Sequence, residues 1–366
     1  MAGNQDAKNK KKKNSASKGS KGSLETPTEE PKQDMTFEKA RSAVKNTVNW
    51  MTLTQGKAPG LIGFINRASF EKSSDPPKTY AFQANRAKNR NPDFPLLDST
   101  RVRLKIEKDT DNNYINASTV TCPPVEKKWI VAQHPMEPYF EDFWKMVFHE
   151  EIEFVVAIFS ADDALPIYFP NETGKFVTHG EFWVHCRKTA LATARNQANS
   201  YTIEVLPSGC SNARYTTILH YPHWPKGHVA PSAKVILKGI QGIQPADKAM
   251  KSTVLVHSGE GINRAMCFVM VDFMVELMFR NNTVNIPEMV TLLRNQRAGA
   301  FHNRVYITYA LYVAIDYVKI RLTKFQNAPD ILAEINALQA LMKAEFASII
   351  PKEPNPGRAS GDVTVE

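Results

Sequence analysis

The stretch Val256-His257-Ser258-Gly259-Glu260-Gly261-Ile262-Asn263-Arg264 brings an imidazole, a hydroxyl, a carboxylate and a guanidinium into nine residues. An apolar β-type run precedes it and an apolar run of helical length, 264–279, follows. A chain that leaves a strand through glycines and enters a helix turns backbone N–H groups and the helix N-terminus toward one spot, the geometry of an anion site. Residues 258–263 would cradle a phosphate there, and Arg264 would clamp two of its oxygens. Phosphoryl transfer would need an activated nucleophile at Ser258. A hydroxyl requires an adjacent base, and His257 is the only local candidate. Cys267 lies three residues into the following helix and reads as a buried structural thiol.

Seven blocks in a fixed order resemble the tyrosine-specific protein phosphatases. They are Lys88-Asn89-Arg90, Leu97-Asp98-Ser99-Thr100-Arg101-Val102, Asn113-Tyr114-Ile115-Asn116-Ala117, Trp129-Ile130-Val131-Ala132-Gln133, Phe143-Trp144, His220-Tyr221-Pro222-His223-Trp224-Pro225 and the loop above. The resemblance spans roughly residues 36–325 and implies a twisted mixed β-sheet flanked by helices, an α/β (α+β) fold. In the family the loop reads Val-His-Cys-Ser-Ala-Gly-x-Gly-Arg, and a thiolate attacks phosphorus. The resemblance makes His257 and Trp224 supports of that loop rather than reactants. The lysine-rich start and the Leu97–Val102 block also look like the short phosphatase-domain proteins of nematodes, several of which have degenerate sites.

Four departures from the family pattern bear on chemistry. Ser258 replaces the Cys, whose thiol an electropositive loop can ionise. The family's Trp-Pro-Asp-x-Gly-Val-Pro loop reads Trp224-Pro225-Lys226-Gly227-His228-Val229-Ala230 here. Lys226, with an unperturbed pKa near 10.4, cannot stand in for an Asp that protonates the leaving oxygen, a contribution of about 10²–10⁴-fold. Changes at His228 and Ala230 point to a loop that does not close as the family's does. The water-positioning glutamines fall on His302 and Tyr306, and the tyrosine that would flank a substrate phenol is Asn91.

Inside the loop, Glu260 stands where the family has Ala. Facing inward, it would oppose a phosphate by roughly 3 kcal/mol per unit charge at about 5 Å and an effective dielectric near 20. Alternatively it pairs with Arg264 and fills the site internally. Asn263, in place of a glycine, would strain the backbone at a positive φ.

Of 366 residues, 42% are hydrophobic and the net charge is +9, enough for one large core with a mildly basic surface. No run reaches the roughly 18 apolar residues of a membrane span, and the N-terminus lacks a signal-type apolar core. Cys122, Cys186, Cys210 and Cys267 show neither disulfide nor metal spacing, so neither metal nor cofactor is expected. These features predict a cytoplasmic or nuclear protein. Residues 1–34 hold eight lysines and five acids with little apolar content, leaving +6 on residues 35–366. This is a disordered basic tail, either a solubilising arm or a contact for anionic lipid or RNA. Residues 35–325 are expected to form the phosphatase-like domain, 326–350 an amphipathic helix that packs on its own domain or on a partner, and 351–366 a second disordered tail.

Hydrophobic periodicity predicts helices at 35–53, 138–148, 264–279, 286–295, 305–322 and 329–346. Strands are predicted at 128–133, 154–159, 175–185, 201–206, 216–221 and 253–257. Three functions remain open to the sequence. The chain is a non-hydrolysing binder or scaffold for phosphotyrosine proteins, a weak or altered phosphatase using Ser258, or a scaffold that ignores phosphate and acts through the tail, the Lys226 loop or the last helix.

Overall fold

The computed structural model describes residues 77–106, 112–243, 253–279, 285–324 and 329–351. The two expected tails, apart from residue 351, and the helix expected at 35–53 lie outside the described residues. Nine strands form one sheet in the order β1-β2-β3-β9-β4-β8-β7-β6-β5. They are β1 (Arg101–Arg103), β2 (Tyr114–Cys122), β3 (Val125–Gln133), β4 (Ile152–Ile158), β5 (Phe176–His179), β6 (Phe182–Ala190), β7 (Asn199–Pro207), β8 (Arg214–His220) and β9 (Thr253–Ser258).

The middle of the sheet, β3-β9-β4-β8, is parallel, and both flanks are antiparallel. Parallel strands are covered on both faces and read as continuous apolar runs. In β9, Val254 through Ser258 are all buried. One face packs on α2 (Phe140–His149), through Phe143, Trp144 and Val147. The other packs on α4 (Arg264–Phe279), which follows α1 (Tyr80–Ala84) and α3 (Ala233–Gly242) in the chain.

Helix α4 is apolar around its whole circumference because it runs through the core rather than along the surface. Its one buried acid, Asp272, is satisfied from β3: Trp129 Nε1 donates at 2.9 Å and Lys127 Nζ at 3.0 Å. Around it lie α5 (Ile286–Arg294), α6 (Val305–Lys324) and α7 (Pro329–Phe346). The last helix packs on its own domain: Ile335, Leu338, Met342 and Phe346 join the core, and the Phe346 ring meets Tyr309 and Tyr312. Leu341, on the same helix, is exposed.

Several elements differ from the sequence reading, the short α1 and β1 among them. The run 175–185 is a hairpin rather than one strand, because Gly180 takes a φ of +57° and lets His179 pair with Phe182 across a two-residue turn. Helix α3 is unanticipated, since its β-branched residues and two glycines lack helical propensity; burial of Val235, Ile236 and Ile240 holds it instead. The Tyr114–Ala117 motif lies within the nine-residue strand β2.

Three imidazoles gather around the C-terminal ends of the parallel strands, His134 and His257 buried and His220 half-buried. His134 follows β3, His220 ends β8 and His257 lies in β9. His134 and His220 use Nε2 on the carbonyls of Pro166 and Phe159, at 2.8 and 3.0 Å. Burial pushes His134 down to about 3 and His220 to about 4, and it holds His257 well below the usual imidazole range. The folded state therefore keeps all three neutral, whereas the unfolded chain protonates them near pH 6.5. Their contribution to stability is fully present above about pH 6.5 and is lost as pH falls toward 4 and then 3. Each group accounts for up to about 1.4 kcal/mol per pH unit below that point. Urea midpoints measured from pH 7.5 to 5 should fall steadily below 6.5, with a shallower fall in His220→Phe; a profile flat to pH 5 would contradict this burial.

Candidate functional site

The phosphate-type loop connects β9 to α4, and the sheet dictates its shape. His134 N donates to the carbonyls of Ser258 and Gly259, at 2.9 and 3.0 Å, so the chain after β3 grips the loop's entrance. Gly261 has a φ of +69°, and a side chain there would drive into the Ala132 carbonyl at 2.2 Å. Only glycine fits. The far side of the loop is held by Arg297, fully buried, whose guanidinium donates to the carbonyls of Glu260 at 3.0 Å and Gly261 at 3.4 Å and to Ser118 Oγ at 3.3 Å. Burial lowers Arg297 to about 10, which leaves it charged at neutral pH. Among the described residues, no hydrogen bond engages the N–H groups of residues 259–263.

Ser258 is buried at the foot of this loop, and its Oγ lies 3.4 Å from the Ala265 N–H in the first turn of α4. No hydrogen bond joins the His257 ring to Ser258 Oγ. The ring is buried, its Nε2 meets the Tyr168 hydroxyl at 2.7 Å, and its Nδ1 has no partner among the described residues. Cys267 is buried in α4, where desolvation pushes its thiol up, away from nucleophilic character. Ile262 is buried and its carbonyl accepts from Phe301 N at 2.8 Å. Asn263 is not among the described residues of positive φ; its Oδ1 accepts from Asn303 N at 3.1 Å, so the strain expected on sequence grounds does not arise.

Arg264 is 3% exposed and asymmetrically held. Its Nη1 donates to Asp163 Oδ2 at 2.7 Å and to the Trp224 carbonyl at 2.6 Å. Nε and Nη2 take part in no hydrogen bond among the described residues, and Nη2 lies 3.8 Å from where a Cβ on Gly259 would stand. One edge of the guanidinium is thus fixed, and the other is turned to the loop.

Glu260 pairs neither with Arg264 nor with the centre of the loop. Its Oε1 lies 2.8 Å from Lys226 Nζ. Neither alternative read for Glu260 is found: in place of a Glu260–Arg264 pair there are two pairs, Glu260 with Lys226 and Asp163 with Arg264, the acid of the second coming from a 3₁₀ turn at Ala161–Asp163.

The 224–230 segment is closed onto the loop and fastened along its length. Lys226 N donates to Asp163 Oδ1 at 2.8 Å, and Gly227 supplies a φ of +78°. The His228 carbonyl accepts from Trp224 Nε1 at 2.7 Å and from the Tyr306 hydroxyl at 2.8 Å. Burial raises the Tyr306 phenol, so it stays a donor across the physiological range. Val229 N donates to the Ile349 carbonyl at 3.1 Å, and the Ala230 carbonyl accepts from the buried Tyr309 hydroxyl at 3.0 Å.

The remaining rim residues sit on two neighbouring segments. Asn91 turns its Oδ1 back to Asp93 N at 2.9 Å and presents no aromatic wall. Its neighbour Arg90 is tied through Nε to the His134 carbonyl at 2.7 Å, which sets that segment beside the loop. His302 makes an edge contact with Phe94, ring centroids 5.0 Å apart, so the 91–94 and 299–303 segments meet at the rim. Among the described residues no cluster of His, Cys, Asp or Glu could hold a metal ion, and no helix is long and apolar enough to cross a membrane.

Asp163, Arg297 and Tyr168 were not singled out from the sequence. Ser160-Ala161-Asp162-Asp163 does carry a capping-box pattern, and both of its reciprocal bonds are formed. That pattern marks a turn, but not a partner 101 positions away.

Comparison with known proteins agrees with this architecture. The family described as protein-tyrosine phosphatase matches residues 85–316. Tyrosine-protein phosphatase 69D of Drosophila melanogaster is 29% identical over 235 residues, covering 60% of this chain and 16% of that protein. Tyrosine phosphatase-like protein J1 of Microplitis demolitor bracovirus is 27% identical over 256 residues, covering 64% and 82%. Putative tyrosine-protein phosphatase C15H7.3 of Caenorhabditis elegans is 27% identical over 227 residues, covering 61% and 54%. The match thus spans most of the viral protein but about half or less of the other two. With the family pattern covering most of the sheet, both loops and the buried arginine, the chain belongs to the protein-tyrosine phosphatase family.

Proposed function

We propose that this protein binds phosphotyrosine proteins without hydrolysing them, acting as a pseudophosphatase in signalling. The observation that carries this reading is the isolation of Ser258. The imidazole next to it in the chain, His257, faces Tyr168, and the closed segment brings an ammonium, Lys226 Nζ, where the family brings a carboxylic acid. The first displacement at phosphorus, attack by the hydroxyl with expulsion of the phenolate, lacks both of its reagents: no base is bonded to the Ser258 hydroxyl, and no carboxylic acid stands where the leaving phenolate would take its proton. Binding has more support than chemistry, since Arg264 keeps Nε and Nη2 for an anion and α4 adds its N-terminal dipole. In this reading residues 35–325 are the binding domain, 326–350 an appended helix, and the lysine-rich 1–34 segment a contact for anionic lipid or RNA in cytoplasm or nucleus.

The full chain should bind a phosphotyrosine peptide in fluorescence polarisation and ignore the unphosphorylated form. Arg264→Ala should weaken binding by about 10–100-fold, the worth of a hydrogen-bonded charge pair. Phosphate-independent binding, insensitive to Arg264→Ala, would instead identify a scaffold that ignores phosphate.

On p-nitrophenyl phosphate the wild-type chain should release no phosphate above buffer. The triple variant Ser258→Cys/Lys226→Asp/Glu260→Ala restores a thiol and an acid and should give a burst of p-nitrophenol near one equivalent. Slow turnover should follow, because His302 and Tyr306 stand in place of the water-positioning glutamines. Wild-type release that Ser258→Ala abolishes would overturn the proposal.

A further inference from the structure

Four charges alternate around the mouth of the site. Glu260 Oε1 meets Lys226 Nζ at 2.8 Å; the same Lys226, through its backbone N–H, meets Asp163 Oδ1 at 2.8 Å; Asp163 Oδ2 meets Arg264 Nη1 at 2.7 Å. The four side chains sum to zero, so within this quartet the two carboxylates offset the two cations that a dianion would use. The two pairs differ in strength. Asp163 and Arg264 are 2% and 4% exposed, whereas Lys226 is 67% and Glu260 24% exposed. The inner pair is a fixed feature of the fold. The outer pair is a surface ion pair of small net worth, one that a stronger anion displaces.

We propose that Lys226 is a phosphate ligand held in reserve by Glu260. An aryl phosphate entering the loop takes the Lys226 ammonium and the two unengaged nitrogens of Arg264, and Glu260 swings outward. This inference rests on the phosphotyrosine-binding reading above and names the residue that completes its site. The backbone of Lys226 does not move in this exchange, because Asp163 holds its N–H and the 224–230 segment is fastened by Tyr306, Tyr309 and the Ile349 carbonyl. Only two side chains rearrange, the exposed Lys226 and the half-buried Glu260. Glu260 has a second cation within electrostatic reach, Arg90, on the rim segment beside the loop. Where the family places a proton-donating carboxylic acid this chain places the Lys226 side chain, so the closed loop holds the ligand instead of turning it over. The ammonium favours a dianionic monoester over a monoanionic diester, which sets the ligand class as aryl phosphate monoesters.

The test is a double-mutant cycle on the full chain, titrated with phenyl phosphate at pH 7.5 by calorimetry, with thermal melts to confirm folding. Glu260→Ala should tighten binding about tenfold, a 1.4 kcal/mol effect. Lys226→Ala should weaken binding about tenfold in the Glu260→Ala background and at least as much alone, where it leaves Glu260 uncompensated; Lys226→Arg should restore it. A simple latch gives the opposite sign: Lys226→Ala would release the mouth, and affinity would rise or stay level in both backgrounds. That result, with Arg264-dependent binding intact in Glu260→Ala, overturns this inference alone. Absence of Arg264-dependent binding in both wild type and Glu260→Ala overturns the proposed function and this inference together.

Discussion

The site depends on one buried carboxylate. Asp163 receives Arg264 Nη1, the backbone N–H of Lys226 and the N–H of Ser160 within 2.9 Å, joining three segments far apart in sequence. A carboxylate so enclosed is stable only when its lone pairs are filled by donors that stay in place. The Arg264 guanidinium cannot rotate its unengaged edge away from the loop without leaving that acid. The 224–230 segment cannot lift without exposing it. Removing one partner of such a pair typically costs about 3–5 kcal/mol, because the other charge stays buried. The closed conformation is thereby an outcome of the core as much as of the loop's own sequence.

The parallel centre of the sheet supplies the rigidity behind this. β9 runs between β3 and β4, and its last residues enter the loop directly, so the position of Ser258 is set by ladders on both sides. Helix α4 continues from the loop into the core with Asp272 tied to Trp129 and Lys127 of β3. Loop, strand and helix are therefore anchored at both ends. Arg297 fills the remaining carbonyls from below, a polar network in which each member has a defined donor or acceptor.

Much of this was readable from residue pattern. The apolar runs at 253–257 and 264–279, the glycines between them and Arg264 located the loop, the second of those runs located α4, and helical spacing of apolar residues located α7. Helix α3 was hidden because its β-branched residues favour strands locally, and only packing on α4 and α6 reverses that. The partner of Glu260 was hidden for a different reason. Sequence neighbours suggested Arg264, four positions on, but Asp163 takes that guanidinium from 101 positions away. A contact of such separation leaves no periodic trace, and the competition between two acids for one arginine is settled only in three dimensions.

The exchange of charges at Lys226 and Glu260 is best understood as one change rather than two. A lysine on the closing segment without Glu260 would leave an unbalanced cation beside Arg264, and a glutamate in the loop without Lys226 would place an anion where the fold gathers N–H groups and a helix N-terminus. Each substitution alone strains the electrostatics of a site built on Asp163 and Arg264. Together they meet at 2.8 Å and cancel. Their being on two different segments also makes the pair report the closed state, since lifting the 224–230 segment separates them. An ion pair this exposed contributes at most about 1 kcal/mol, too little to hold the segment by itself. The hydrogen bonds of Tyr306, Tyr309 and Asp163 do the holding. The pair's physical role is to offset charge at the mouth: while the two are paired, Glu260 cancels the cation that Lys226 brings to the loop.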